Sequence, residues 1–452
     1  MTFVSRSTGV AAAFVVAGAL ACSAPATDPP NVVLYLVDTL RADSLGAYGH
    51  PRVETPAFDR LATEGTLFPN AFANSTWTRA SVASLFTGHH AQQHGARTRL
   101  SVLEDESDTL AEILAARGYA TALVTTNPNA GATFGFGQGF QEVVELFEQP
   151  GFLVSNQNLG TSDEVTERAI AWLDSAPRPF LLVAHTTDPH GPYTPPKAFD
   201  RYMPEYRGRV DGTDRHFQRK NLSTADRQRI RSLYEGEISF NDASFARLLA
   251  ALEERDLVHD TLVVMTSDHG EEFWEYDRRR RGHGNALTDL QMRVPLLVRF
   301  PRSDRVGRGV RDPRPVQGVD LLPTILDLLD LPLPEAIAGR PLFTGARDAA
   351  PVFSSVELDG HRLYAVVEPP WKLVWDAARD EERLYRLGAP EPDGVRDRAE
   401  VAGEELVRRH LRARLDAHLA AGELEPSTSP GTVEDLPENV RRALRALGYL
   451  GE

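Results

Sequence analysis

Five short runs of apolar and β-branched residues constrain this chain more than any other feature. They are NVVLYLV at 31–37, YATALVT at 119–125, FLLVAHT at 180–186, TLVVMTS at 261–267 and VPLLV at 294–298. None alternates with polar residues, so each predicts a strand covered on both faces. Helical periodicities lie near 107–117, 163–175 and 319–328. A longer one spans about 223–255, with Ser223 as its cap and Tyr234, Ile238, Phe245, Leu249 and Leu252 on one face. Strands separated by helices predict an α/β fold, a sheet with helices on both sides. Ligand sites of such sheets lie beyond the C-terminal ends of the strands. No internal repeat is visible.

From about residue 340 the character changes. Short strands at 363–367 and 371–375 precede an amphipathic helix near 400–421, with Leu411, Leu415 and Leu419 four apart. These features predict a main domain over 31–340 and a small C-terminal α+β subdomain with a helical tail over 341–452.

The N-terminal segment predicts export. GVAAAFVVAGALA at 9–21 follows Arg6 and runs directly into Cys22. It is shorter than a membrane span and has the size of a signal-peptide core. GALAC at 18–22 resembles a bacterial lipobox, whose thiol is acylated and becomes the mature N-terminus, although Ala19 and Leu20 are in swapped order. Residues 1–22 are therefore expected to be a signal peptide with its lipobox, cleaved just before Cys22, and 23–30 to act as a tether. The product would sit in the periplasm or cell envelope as a lipoprotein anchored through Cys22. An ordinary cleaved signal with an incidental cysteine is the alternative. Cys22 is the sole cysteine, which excludes an internal disulfide and a cysteine metal cluster. With 49 Lys+Arg against 64 Asp+Glu, the net charge of −15 argues against nucleic acid as a partner.

The chemistry gathers where strands end. Asp38 follows the first strand, and SDHGE at 267–271 closes the run at 261–267. Asp38, Asp268 and His269 could converge on one divalent cation. Taken singly, such an aspartate is more often a helix cap and such a histidine a satisfied loop residue. A hydroxyl cluster follows in STWTRASVASLFTG at 75–88, where Ser75, Thr76, Thr78 and Ser81 crowd a helix start. Free N–H groups and the helix dipole suit an anionic ester there. A hydroxyl held beside a cation becomes a competent nucleophile. The alternative is that all four hydroxyls merely cap the helix.

Together with ETPAFDRLATEG, DPHGPY and RGHGNALTDLQMRVPLLVRFP, these segments resemble the sulfatase family of the alkaline phosphatase superfamily, over roughly residues 31–390. The resemblance implies a large mixed, mostly parallel sheet flanked by helices. It implies cleavage of sulfate or phosphate/phosphonate esters, with an anionic small-molecule, glycan or lipid ester as substrate. It also implies one divalent metal cation, Ca²⁺ by family habit, with Mn²⁺ or Zn²⁺ equally suited to a histidine ligand. The implied metal ligands are Asp38, Thr78, Asp268 and His269. His190 in DPHGPY and His283 in RGHG match positions that contact the anionic group and the leaving oxygen.

The family's nucleophile segment reads C/S-x-P-S-R-x-x-x-x-T-G. Counting back from Thr87-Gly88 aligns Thr78 with the nucleophile and Ala80-Ser81 with Pro-Ser, but leaves Val82 at the arginine position. Anchoring on Arg79 instead puts Ser75 at the nucleophile, with three residues too many before Thr-Gly. The first register is preferred. Threonine cannot become formylglycine, but it resembles the metal-bound threonine of phosphodiesterases, phosphonate hydrolases and lipid phosphotransferases in the superfamily. Asp38-Thr39 replaces the family's Asp-Asp, and Thr125-Thr126-Asn127 replaces its Lys-x-His. Arg79, Asn127 and His190 are the candidates for substrate contact, and Thr78, His190 and His283 for catalysis. His94 in QQHG reads as structural. The run Arg278–Arg281 could help gather an acidic substrate. A phosphoryl-alcohol transferase and a catalytically dead surface-binding lipoprotein remain alternatives.

Overall fold

The computed structural model describes residues 1, 28–105, 108–148, 161–213, 222–277, 279–345, 349–388, 401, 403–422 and 432–450. The expected signal segment, Cys22, most of the tether and Arg278 lie outside the described residues. Among the described residues no helix is long and apolar enough to cross a membrane.

The main sheet has eight strands. Their order is Val310–Arg311, Thr66–Leu67, Leu296–Arg299, Thr261–Ser267, Asn31–Val37, Phe180–Thr186, Ala120–Thr125 and Glu142–Glu145. Asn31–Val37 runs parallel to both neighbours, and Ala120–Thr125 is parallel to both of its own. Leu296–Arg299 is antiparallel to its neighbours, which makes the sheet mixed. Apolar periodicity reveals that a strand is buried but carries no information on its direction.

Asn31–Val37 shows why these runs form interior strands. Val32, Leu34 and Leu36 join one apolar cluster, whereas Val33, Tyr35 and Val37 join the other. Successive side chains point to opposite faces, so a strand covered on both sides must be apolar throughout. Each such residue contributes about 1.5–3 kcal/mol of burial.

The long helix is Thr224–Glu254, with Ser223 accepting from the Asp226 N–H as its cap. Its expected apolar face is buried. The same face carries Asn241, whose Oδ1 accepts from the Tyr35 hydroxyl at 3.0 Å. Asn241 Nδ2 donates to Thr186 Oγ1 at 2.8 Å and to the Asp188 carbonyl at 2.6 Å. A helix side chain thus fixes the end of Phe180–Thr186 and the start of the loop that carries His190.

The C-terminal region splits in two. Val352–Leu358, His361–Glu368, Trp371–Asp376 and Glu381–Arg386 form an antiparallel four-stranded sheet. The helix Glu405–Ala421 lays Leu411 and Leu415 against Val366, Leu373 and Leu384 of that sheet. The helix Glu438–Ala446 does something else. Its Val440, Ala443 and Leu444, with Leu436 and Leu447, join the core of the main sheet. The helical tail expected beside the small subdomain of 341–452 returns to the large domain, because its apolar stripe fits that core.

Candidate active site

Strand register assembles the site. Val37 pairs with Ser267 on one side and Thr186 on the other. The next residues, Asp38 and Asp268, therefore emerge side by side. Thr39 adopts φ 57°, a conformation that a β-branched residue rarely takes. That turn directs its N–H to Asp268 Oδ1 at 3.1 Å, tying the two strand ends together.

Ligand atoms of Asp38, Asp268 and His269 lie within 4.8 Å of one another, and all three residues are fully buried. His269 Nδ1 is 3.1 Å from the Gly270 carbonyl and donates to it, so Nε2 carries a free lone pair. Burial pushes the His269 pKa down to about 4, which keeps it neutral at pH 7. Nε2 lies 3.3 Å from Asp268 Oδ2, 3.9 Å from Asp38 Oδ1 and 3.2 Å from Thr78 Oγ1. Asp38 Oδ1 and Asp268 Oδ2 are buried and accept no hydrogen bond. Burial, and then the Asp268 charge, hold the Asp38 carboxyl well above its ordinary range. Two adjacent buried carboxylate oxygens, a bare imidazole nitrogen and a hydroxyl form a donor set that suits a divalent cation.

Thr78 opens the helix Thr78–Thr87. Ser81, one turn on, donates to the Asp268 carbonyl at 2.5 Å and docks that helix start on the strand end. Ser75 Oγ is buried and has no hydrogen-bond partner. Thr76 instead donates to the Ala286 carbonyl at 3.0 Å.

Asn127 belongs to the site but faces the carboxylates. Its Nδ2 donates to Asp38 Oδ2 at 2.5 Å, and its Oδ1 accepts from the Asn129 N–H at 2.8 Å. The expected substrate contact becomes a hold on Asp38. Arg79 is a clearer correction. Its buried guanidinium donates to the carbonyls of Thr98, Arg99 and Ser101 and to Asn129 Oδ1, with Cζ 3.4 Å from the Phe134 ring centroid. As the second residue of the helix it points away from Thr78, and it clamps two loops instead of meeting substrate.

His190 and His283 converge from separate loops, with ring centroids 5.0 Å apart. The His283 ring also lies 4.4 Å from that of His269. Burial pushes His190 down to about 3 and His283 to about 4. His190 Nδ1 donates to the Gly191 carbonyl at 2.6 Å, and His283 Nδ1 faces Glu271 Oε2 at 3.3 Å. His94 is held by Ser84 Oγ and the Ala96 N–H, as expected of a structural histidine. Arg280 pairs with the buried Glu272 at 2.8 Å.

Two neighbours, His185 and Tyr449, and one contact escaped the sequence reading. Glu271 was legible as part of SDHGE, but its contact with His283 was not. His185 lies on the strand Phe180–Thr186, with Nδ1 3.2 Å from Thr125 Oγ1 and Nε2 buried without a hydrogen-bond partner. Tyr449, beyond the last helix, places its hydroxyl 2.9 Å from His190 Nε2 and 3.2 Å from His283 Nε2. The signal that could have found it is the apolar stripe Val440, Ala443, Leu444, Leu447 running into Gly448-Tyr449.

The chain is 28% identical over 335 residues to an ulvan-active sulfatase of Formosa agariphila, covering 69% of this chain and 64% of that relative. It thus spans less than two thirds of that protein. It is 24% identical over 428 residues to an arylsulfatase of Clostridium perfringens, covering 79% and 88% respectively. Its fold is shared with the phosphonate monoester hydrolase of Agrobacterium radiobacter, with a TM-score of 0.72, 22% identity and coverage of 87% and 96%. The sulfatase family profile matches residues 30–331, two thirds of the chain. On that match, and on strand ends that assemble its motifs around Asp38 and Asp268, the chain belongs to the sulfatase family.

Proposed function

We propose that the chain is a divalent-cation-dependent hydrolase of sulfate or phosphate/phosphonate esters, with Thr78 as its nucleophile. One observation carries this reading. Thr78 Oγ1 lies 3.2 Å from His269 Nε2, beside two buried carboxylate oxygens that accept no hydrogen bond. Asp38, Asp268, His269 and Thr78 would hold the cation. Bound there, it supplies Lewis-acid activation of hydroxyl and ester.

The chain's own residues do the rest. The N-terminal end of Thr78–Thr87 offers a positive dipole to the anionic group. Attack by Thr78 Oγ1, which gives up its hydroxyl proton to water, forms a bond to sulfur or phosphorus and breaks the bond to the leaving alcohol. Water then cleaves the threonine ester. His190 and His283 are neutral when the site holds no anion, but an anion between them favours imidazolium, so substrate binding itself recruits the acid. Either ring can then protonate the leaving oxygen. Sulfate and phosphonate substrates both stay in view, because the relatives' names include sulfatases and the similar fold a phosphonate monoester hydrolase.

A rate screen over aryl sulfate, phosphate monoester, phosphodiester and phosphonate monoester, with and without added Ca²⁺, Mn²⁺ or Zn²⁺, tests the reading. Turnover that needs a cation supports it. Equal rates in chelator overturn it. Mass spectrometry of the segment 75–79 decides the second reading, formylglycine made from Ser75, whose buried Oγ lacks a partner. We also propose export as a lipoprotein acylated at Cys22.

A further inference from the structure

We propose that Tyr449 is an active-site residue, a positioning residue that holds His190 and His283 on one point. The proposal rests on the hydrolase reading of this site. Both imidazoles commit Nδ1 to fixed acceptors, the Gly191 carbonyl and the Glu271 carboxylate. Both Nε2 atoms are thereby turned the same way, and the Tyr449 hydroxyl sits where they meet, at 2.9 and 3.2 Å. Without it, two bare nitrogens on neighbouring rings would face each other with no shared donor. A phenol has one proton and two lone pairs, so it donates to the nearer His190 and leaves a lone pair toward His283.

The chain is built to deliver this hydroxyl. The helix Glu438–Ala446 is seated in the main core by Val440, Ala443, Leu444 and Leu447. Gly448, at φ 76°, turns the chain out of the helix, a conformation that a side chain would strain. The Tyr449 N–H donates to the Leu444 carbonyl at 2.9 Å, and its own carbonyl accepts from Arg99 Nη1. Its ring stands edge-on to Trp77, with centroids 4.9 Å apart, and Trp77 directly precedes Thr78. The tail therefore touches both sides of the reaction centre, the helix start that carries the hydroxyl and the imidazoles opposite. Asp38, Thr78, Asp268 and His269 are 0% exposed, so the phenol also forms part of the wall that keeps water from them.

The test uses Tyr449→Phe in the full chain, which keeps the ring against Trp77 and removes only the hydroxyl. Arg99→Ala, which loosens the tail's carbonyl anchor and leaves the hydroxyl, is the second variant. With the best ester from the screen, kcat of Tyr449→Phe should fall about five- to tenfold, the order of one hydrogen bond, with KM nearly unchanged. Arg99→Ala should show a smaller loss of the same kind. Imidazole ¹⁵N spectra provide a readout independent of turnover: the Nε2 resonances of His190 and His283 should shift in Tyr449→Phe, with the melting temperature preserved. Unchanged kcat in Tyr449→Phe overturns the proposal whatever the resonances do. Faster turnover in both variants overturns it too, and identifies the tail as an obstruction. A wild type without turnover on any ester defeats the hydrolase reading, and the resonances alone then decide whether the phenol holds the rings.

Discussion

Asn127 Nδ2 donates to Asp38 Oδ2 at 2.5 Å, while Asp38 Oδ1 accepts nothing. The amide fixes one carboxylate oxygen and aims the other into the cluster. Partners that orient metal ligands in this way are typically worth about 10–100-fold in metal affinity. Asn127→Ala should weaken cation binding by that amount and leave the fold intact. Calorimetric titration of the metal-free protein measures it; unchanged affinity would return Asn127 to substrate contact.

Asp38→Asn should separate the cost of the site from its use. The buried Asp38 carboxyl is held well above its ordinary range, so its ionised form opposes folding at pH 7. The amide should stabilise the metal-free protein. It should also abolish the rise in melting temperature that added cation gives the wild type. Thermal melts with and without chelator give both numbers.

Thr78→Ala should lower turnover by several orders of magnitude, because a lost covalent nucleophile leaves only electrostatic help to water. Ser75→Ala should keep most of it. Neither should lower stability by much more than about 1 kcal/mol, the usual worth of a hydroxyl at a helix start. If Ser75→Ala is the dead variant and residue 75 carries an aldehyde, the formylglycine reading replaces the threonine one.

Asp242 links stability to pH. Its carboxyl accepts from the Ala57 and Phe58 N–H groups at 3.1 and 2.8 Å, starting the helix Pro56–Glu64. Burial outweighs those donors and, with a smaller push from Asp59, raises the pKa from 3.8 to about 7. The folded state then holds the proton more tightly than the unfolded chain. That contribution is complete below about pH 4 and is lost as pH rises through 7. Between those values the wild type should lose stability relative to Asp242→Asn. Urea midpoints of both proteins across the range check the sign.

Cys22→Ser should release the protein from the membrane fraction if the thiol is acylated. Three acyl chains anchor firmly, because each buried methylene adds about 0.8 kcal/mol. Unchanged fractionation would leave a plain signal peptide.

The sequence was most legible where one residue follows one strand. Asp38 and Asp268 could be named because each stands directly after an apolar run, and His269 because it follows Asp268; parallel strands bring such ends together. Spacing to Thr87-Gly88 singled out Thr78, whose hydroxyl lies 3.2 Å from His269 Nε2. Arg79 misled because the same motif that marks a nucleophile also contains residues that hold loops, and only packing tells which. The direction of Leu296–Arg299 could not be read, since burial is the same either way. Tyr449 was hidden for another reason: its partners His190 and His283 lie 259 and 166 positions earlier, and no local pattern records such a pairing.

The alternation along Asn31–Val37 has a consequence for how much error this fold can absorb. Its side chains are shared between two layers, so a slip of one residue would exchange the layers wholesale. The same slip would carry Asp38 about 3.3 Å along the strand, more than the length of any bond it could make to a cation. Fidelity of the hydrogen-bond ladder and integrity of the Asp38–Asp268–His269 cluster are thus one quantity. A miswoven sheet cannot yield a loosened cluster, only a scattered one.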